Sequence, residues 1–217
     1  MFAATSAASA YPEIVGYASS QKVPWQVVDD QAFASLTDTV SPQGLVAVCR
    51  FVDRPLEHVL AGTPKLVAVC VDVRDPGNAG TVIRCADAAG ADAVILSGNS
   101  VDPYNGKSVR ATAGSLFHLP VAVHVDSADV IAGLQGRGLA VIAADGAGEL
   151  DLDVAVDQGI LARPTAWIFG NEARGLPGEL TALADHRVRI PIRGRAESLN
   201  LASAAAVCLY ASARAQL

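Results

Sequence analysis

The chain has 217 residues, 51% of them apolar, and a formal charge of −6. That length supports one good-sized domain with a sizeable core plus a smaller unit. No apolar run approaches the roughly 18 residues needed to span a bilayer, the four cysteines (Cys49, Cys70, Cys85, Cys208) form no C-x-x-C pair, and the four histidines show no ligand spacing, which argues against a membrane helix, a disulfide scaffold and a structural zinc.

The opening MFAATSAASA lacks the basic start and long apolar stretch of a secretory signal; residues 1–10 read as a disordered tail and the expected compartment is the cytoplasm. Residues 11–52 form a shorter unit, with a helical stretch near DQAFASLTDT and a strand GLVAVCRFV, followed by the linker-like DRPLEHVLAGTPK. From residue 66 onward, short β-rich apolar runs (LVAVCVDV, DAVILS, VAVHV, LAVIAAD, TAWIFG, VRIPI) alternate with amphipathic or alanine-rich stretches, and a final helix is predicted from about Ser198 to Ala215. This is the βαβ pattern, and strands apolar throughout predict a mostly parallel α/β sheet with helices on both faces. The cysteines fall mostly in these runs and read as reduced core thiols.

Charge is uneven: residues 1–65 carry −2, residues 66–159 carry −7 and residues 160–217 carry +3. Arg187, Arg189, Arg193 and Arg195 fall within nine residues, enough to contact a few phosphates without the strongly basic field of a nonspecific nucleic-acid binder.

Three clusters stand apart from the structural pattern. In DVRDPGNAGTVIRCADAAG, residues 72–90, a strand end runs through a Pro-Gly turn into a helix, the place where parallel α/β folds bind ligands. Asn78 is a candidate N-cap and Arg84 begins the second turn. Neither G-x-G-x-x-G nor a Walker A lysine is present, which disfavours ordinary dinucleotide and ATP sites. In FGNEARGLP, residues 169–177, glycines allow tight turns around Asn171, Glu172 and Arg174. In RIPIRGRAESLNLASAAAVCLYASARAQ, residues 189–216, Ser198 is a candidate N-cap and Asn200 points back toward the same strand-end face. A small-residue face with Leu201, Ala205 and Leu209 at i, i+4 and i+8 suits close helix packing, in the core or between subunits.

Asn78, Gly80 and Arg84, FGNEARGL at 169–176 and IPIRGRAESLNLASAAAV at 190–207 together resemble the three signature motifs of the SpoU-type (TrmH-like) RNA 2′-O-ribose methyltransferases of the SPOUT superfamily, in order and spacing. KSVRATAGSLFHLPV, residues 107–121, adds a stretch similar to the family's middle. The resemblance covers residues 66–217. It implies a C-terminal trefoil knot, a homodimer with the active site near the shared interface, and S-adenosylmethionine as cofactor. By motif, the cofactor would meet Phe169, Gly170, Asn171, Gly175, Ile190, Pro191, Ile192, Ser198 and Leu199, flanked by Ala144, Asp145 and Gly146. Residues 11–62 would be part of a ribosomal-protein-like RNA-binding domain and its linker, with its first strand and helix missing, and residues 63–217 the methyltransferase domain.

For such a reaction the ribose hydroxyl must meet the methyl donor in line while its proton leaves and charge develops on oxygen. Asn78, Arg84, Glu172, Ser198 and Asn200 are the catalytic candidates. Arg84, held by Glu172 and supported by Asn78, serves as base or as electrostatic stabiliser; a guanidinium with pKa above about 12 resists deprotonation. Ser198 and Asn200 orient the ribose or the adjacent phosphate. Arg174, Arg193, Arg195 and Arg110 are assigned to RNA. Ribosomal RNA is the first choice of substrate and transfer RNA the second. A noncatalytic RNA-binding protein on this fold and a nicotinamide-dependent oxidoreductase are the alternatives.

Overall fold

The computed structural model describes all 217 residues, in two units, Met1–Phe51 and Val52–Leu217. In the first, β1 (Phe2–Ala4) lies between β2 (Gln26–Val28), its parallel partner, and β3 (Leu45–Val46), its antiparallel one. Around them run α1 (Ala7–Ala10), α2 (Pro12–Ser20) and α3 (Asp30–Ser35). Asp29 caps α3 by accepting the Ala32 N–H at 2.8 Å. The core is small: Ala3, Ala4, Ala7 and Phe33.

Three expectations change here. Residues 1–10 are not a disordered tail. Phe2–Ala4 is the central strand of this sheet, paired on both sides, and Ala3 and Ala4 are buried in one core with Phe33, which an Ala/Ser composition does not reveal. The predicted strand GLVAVCRFV shrinks to β3, since a three-residue partner offers little to pair with, and Cys49 beyond it is exposed. The predicted helix over 30–39 ends at Ser35, where Leu36 closes the last turn.

The second unit runs α4 (Leu56–Val59), β4 (Leu66–Val71), α5 (Pro76–Ala88), β5 (Ala93–Ser97), α6 (Gly106–Thr112), β6 (Val121–Val125), α7 (Ser127–Gln135), β7 (Ala140–Ala144), β8 (Leu150–Asp151), α8 (Leu152–Asp157), β9 (Thr165–Phe169), α9 (Gly178–Leu183), β10 (His186–Arg189) and α10 (Leu201–Ala215). The strands form one parallel sheet in the order β6-β5-β4-β9-β7-β10-β8. Every residue of β4 and β9 is buried, so both faces must be covered, as the apolar runs predicted. One face packs Trp167 and Phe169 with Ile83 of α5 and Leu209 of α10; the other packs Val141 and Ile168 with Ile131 and Leu134 of α7. Burying each such side chain contributes about 1.5–3 kcal/mol. The Trp167 indole N–H donates to Ser212 Oγ at 2.8 Å, so the largest core residue leaves no unpaired donor.

Two features position the site. A Cβ on Gly80 would stand 2.4 Å from the Ser108 carbonyl oxygen, so glycine there lets α5 lie directly against α6. The predicted strand VRIPI stops at Arg189, and residues 190–200 leave the sheet as an irregular connection to α10, which begins at Leu201 rather than Ser198.

Candidate functional site

A cavity of about 480 Å³ opens at the carboxyl ends of β7, β9 and β10, where parallel sheets bind ligands. Ala144, Asp145 and Gly146 line it after β7, and Phe169, Gly170, Asn171, Glu172 and Gly175 after β9. Val188, Ile190, Ile192, Glu197, Ser198, Leu199, Asn200, Leu201 and Ala204 follow from β10 into α10, and Asn78 reaches in from α5. Of the cofactor candidates, only Pro191 is not among the lining residues. Val188, Glu197, Leu201 and Ala204 were not anticipated; Leu201 and Ala204 are three apart on a helix that starts at the pocket, a signal hidden by placing the helix start too early.

The loop after β9 is built around two demands. A Cβ on Gly170 would lie 2.3 Å from the Gly175 carbonyl carbon, so only glycine admits the crossing of the two segments. Asn171 and Gly175 then exchange backbone hydrogen bonds at 3.0 and 2.8 Å. The Asn171 carboxamide donates to the Asp72 carbonyl at 2.8 Å and accepts the N–H groups of Ala173 and Arg174. The loop therefore presents Glu172 in one place.

Glu172 Oε1 accepts the Asn78 amide at 3.1 Å and the Asp75 N–H at 3.1 Å, while Oε2 accepts the Arg74 N–H at 3.3 Å. Asn78 Oδ1 in turn accepts from Asn200 Nδ2 at 3.0 Å. A chain Asn200–Asn78–Glu172 thus joins the three sequence clusters. Desolvation pushes the Glu172 pKa up, but the Asn78 amide and the backbone N–H groups outweigh it and hold the carboxyl below its ordinary value. Asp145 behaves alike: desolvation raises it, and the Ala147 N–H and the Arg187 guanidinium bring it lower. Beneath the loop, burial, with the Glu172 charge adding to it, pushes the Cys70 thiol up to about 12, so it stays protonated.

The caps differ from expectation. Asp75, not Asn78, caps α5, accepting the Asn78 N–H at 2.8 Å with Pro76 in the first turn, and is itself bound by Lys107 Nζ at 2.8 Å. Asn200, not Ser198, caps α10, accepting the N–H groups of Ala202 and Ser203. Both changes release a side chain: Asn78 for Glu172, and Ser198 for the cavity.

The expected Glu172–Arg84 contact is absent. The Glu172 oxygens are occupied by Asn78 and backbone donors, and Arg84 lies exposed on α5, outside the cavity lining. Six helical residues beyond Asn78 it is turned by about 120° and displaced by about 9 Å along the axis. The basic cluster is partly neutralised within the chain. Arg187 pairs with Asp145 at 2.9 Å, Arg189 with Asp151 at 2.5 Å and Arg193 with Asp153 at 2.8 Å. Arg84, Arg110, Arg174 and Arg195 are exposed and form no ion pair.

The cavity suits a ligand that is part apolar and part cationic: Phe169, Ile190, Ile192, Leu199 and Leu201 supply apolar surface, and Asp145, Glu172 and Glu197 supply carboxylates. The backbone of residues 191–199 makes no hydrogen bond within the chain, which leaves amide donors and acceptors for a ligand. No group of three or more His, Cys, Asp or Glu side chains is placed to hold a metal ion, and no helix is long and apolar enough to cross a membrane.

A model of the SpoU rRNA methylase family matches residues 65–210, and one described as RNA 2′-O ribose methyltransferase substrate binding matches residues 1–55. The 23S rRNA (guanosine(2553)-2′-O)-methyltransferase RlmP of Bacillus subtilis (strain 168) is 36% identical over 184 residues, which is 85% of this chain and 70% of that protein. The 23S rRNA (uridine(2479)-2′-O)-methyltransferase of Streptomyces viridochromogenes is 36% identical over 183 residues, 82% of this chain and 62% of that protein. The crystal structure of AdoMet-bound rRNA methyltransferase from Sinorhizobium meliloti aligns with a TM-score of 0.79 at 30% identity, covering 100% of this chain and 80% of that one.

Proposed function

The chain belongs to the SpoU rRNA methylase family, and on that premise we propose that it transfers a methyl group from S-adenosylmethionine to a ribose 2′-hydroxyl of ribosomal RNA. The observation that carries the reading is the Asn200–Asn78–Glu172 chain at the edge of the cavity. It draws three distant polar clusters to one point beside a space large enough for the cofactor, which a purely structural network would not need.

S-adenosylmethionine supplies an electrophilic methyl group on a cationic sulfonium. The chain's own groups fit its two halves: the apolar side chains from Phe169 to Leu201 take the uncharged part, and the cavity's carboxylates and the unused amides of residues 191–199 take its polar groups. Glu172 holds Asn78, and Asn78 and Asn200 fix each other's carboxamides, so the side chains facing the ribose are oriented before it arrives. Ser198, freed from capping, is available to the ribose or its phosphate. Arg84 supplies positive charge toward the 2′-oxygen, as base or stabiliser. Within one subunit it is exposed and does not line the cavity, so this role requires a homodimer whose shared face includes the α5 and α10 layer. Val207 and Tyr210, exposed apolar residues of α10, support that face. Arg110, Arg174, Arg193 and Arg195 contact RNA phosphate, and the protein acts in the cytoplasm.

The test incubates the chain with labelled S-adenosylmethionine and separate ribosomal and transfer RNA pools, then maps the modified nucleotide. Label on a ribose 2′-oxygen of ribosomal RNA is the expected result; label on a base, or on transfer RNA alone, would refute the assignment. Sedimentation of the same sample measures the dimer.

A further inference from the structure

The arginines of β10 are used by none of the steps above. Val188 and Ile190 line the cavity, whereas Arg187 and Arg189, which alternate with them along the chain, do not. Both arginines reach instead to the turn after β7, whose residues Asp145 and Gly146 form the adjoining part of the lining. That turn is compact. The Gly148 N–H donates to the Asp145 carbonyl at 2.9 Å, and the Ala147 N–H donates to Asp145 Oδ1 at 2.9 Å. The Asp145 N–H donates across to the Val188 carbonyl at 3.0 Å. A Cβ on Gly148 would stand 2.8 Å from the Arg187 carbonyl oxygen, so glycine there lets the turn lie against β10. Arg187 closes it from the other side: Nε and Nη2 donate to Asp145 Oδ2 at 3.3 and 2.9 Å, and Nη1 stands 3.5 Å from Glu149 Oε2. Arg189 adds a tie from Nη1 to the Gly148 carbonyl at 3.1 Å. Asp145 thus has one carboxylate oxygen on its own turn and the other on a two-pronged guanidinium. Gly146, next to it, makes no backbone hydrogen bond within the chain and has no side chain to hold it. Its place at the cavity depends on its neighbours.

We infer that Arg187 is a positioning residue for the cofactor: by fixing Asp145 it holds the free backbone groups of Gly146 at the cavity. One arginine of the basic run 187–195 then serves the small ligand and not RNA phosphate. The inference rests on the proposed function for the identity of that ligand.

The test uses the full chain and two probes, S-adenosylmethionine and S-adenosylhomocysteine, which differ only by the sulfonium methyl group and its charge. In Arg187→Ala, calorimetric affinity for both should fall by a similar factor, about fivefold, and the amides of Ala147 and Gly148 should exchange faster in the ligand-free chain. Asp145→Ala should weaken both probes as well, and adding Arg187→Ala to it should cost little more, because the arginine acts through that carboxylate. Arg187→Lys keeps the charge and should recover part of the loss. Unchanged affinity for both probes in Arg187→Ala overturns the inference, and so does a fully additive loss in the double variant. Tighter S-adenosylmethionine with unchanged S-adenosylhomocysteine also overturns it, since the arginine would then only neutralise Asp145. A salt dependence of RNA binding reduced by about 1 in slope would return Arg187 to RNA. Failure of the unaltered chain to bind either probe overturns the cofactor assignment and the inference with it; binding without methyl transfer counts against the proposed function alone.

Discussion

The two walls of the cavity are built on opposite plans. Residues 169–176 are tied at every turn: Gly170 admits no side chain, Asn171 spends both ends of its carboxamide, and Glu172 takes three donors. Residues 191–199 make no backbone hydrogen bond and are held by one ion pair, Arg193 with Asp153, whose side chains are 82% and 63% exposed. The same wall carries Ile192 and Leu199 with more than a third of their surface in water. A group that must be aimed before substrate arrives needs the first plan, since reorganisation at the moment of reaction raises the barrier. A wall that closes over a ligand needs the second, because its free amides and exposed apolar surface are satisfied only on binding.

The contrast can be broken most severely at Glu172. Glu172→Ala leaves Asn78 and two backbone N–H groups without their acceptor, and kcat/KM should drop about 10²–10³-fold in a methyl-transfer assay. Cofactor affinity, measured by calorimetry, should change far less. The same carboxylate gives the tied wall an acid limit. Its pKa is lower in the folded chain than in the unfolded one, so its contribution to stability is complete above the ordinary carboxylate range and is lost as pH falls through the folded-state value. Thermal unfolding followed from pH 7 down to about pH 3 should show falling Tm, with a shallower fall in Glu172→Gln.

Arg84→Ala tests the charge assigned to the 2′-oxygen: about 10²-fold lower kcat at unchanged cofactor affinity is expected, and full activity would remove Arg84 from the mechanism. Gly170→Ala attacks the tied wall sterically. The added methyl group has no room beside Gly175, and urea titration should show a loss of about 1–3 kcal/mol, with cofactor binding weakened. The smallest effect is expected on the untied wall. Asp153→Ala removes an exposed pair worth less than about 1 kcal/mol, so cofactor affinity should shift less than about fivefold at low salt and not at all at high salt.

Much of this architecture was legible in the sequence. Unbroken apolar runs such as LVAVCV and TAWIF require burial on both faces, and that forces the parallel, doubly covered sheet. The meeting of the three polar clusters at one cavity could be expected because each follows a strand end. What sequence reading misplaced were choices between adjacent polar residues. Asp75 and Asn78, or Ser198 and Asn200, can each cap a helix, and the choice rests on where the preceding strand releases the chain. The Asp-Pro pair before Gly77 was the available signal for Asp75, since proline suits the first helical position and aspartate the one before it. The Glu172–Arg84 pairing does not form: opposite charges in neighbouring motifs suggest a bond, whereas Glu172 has nearer donors in the backbone of Arg74 and Asp75, just before α5. Residues 1–10 hide their strand because Phe2–Ala4 is only three residues long and carries no periodic signal.

The hydrogen bond from Trp167 to Ser212 has a consequence for biosynthesis. Strand β4 must wait for β9, with Leu66 aligned to Thr165, and the indole of Trp167 in turn finds its partner only in Ser212 of α10, 45 residues further on. Pairings so distant along the chain form slowly. As the polypeptide emerges from the ribosome, the centre of the sheet therefore stays unfinished and sticky until the last helix is out. Unpaired strand edges and exposed apolar surface of that kind are prone to aggregate in the interval.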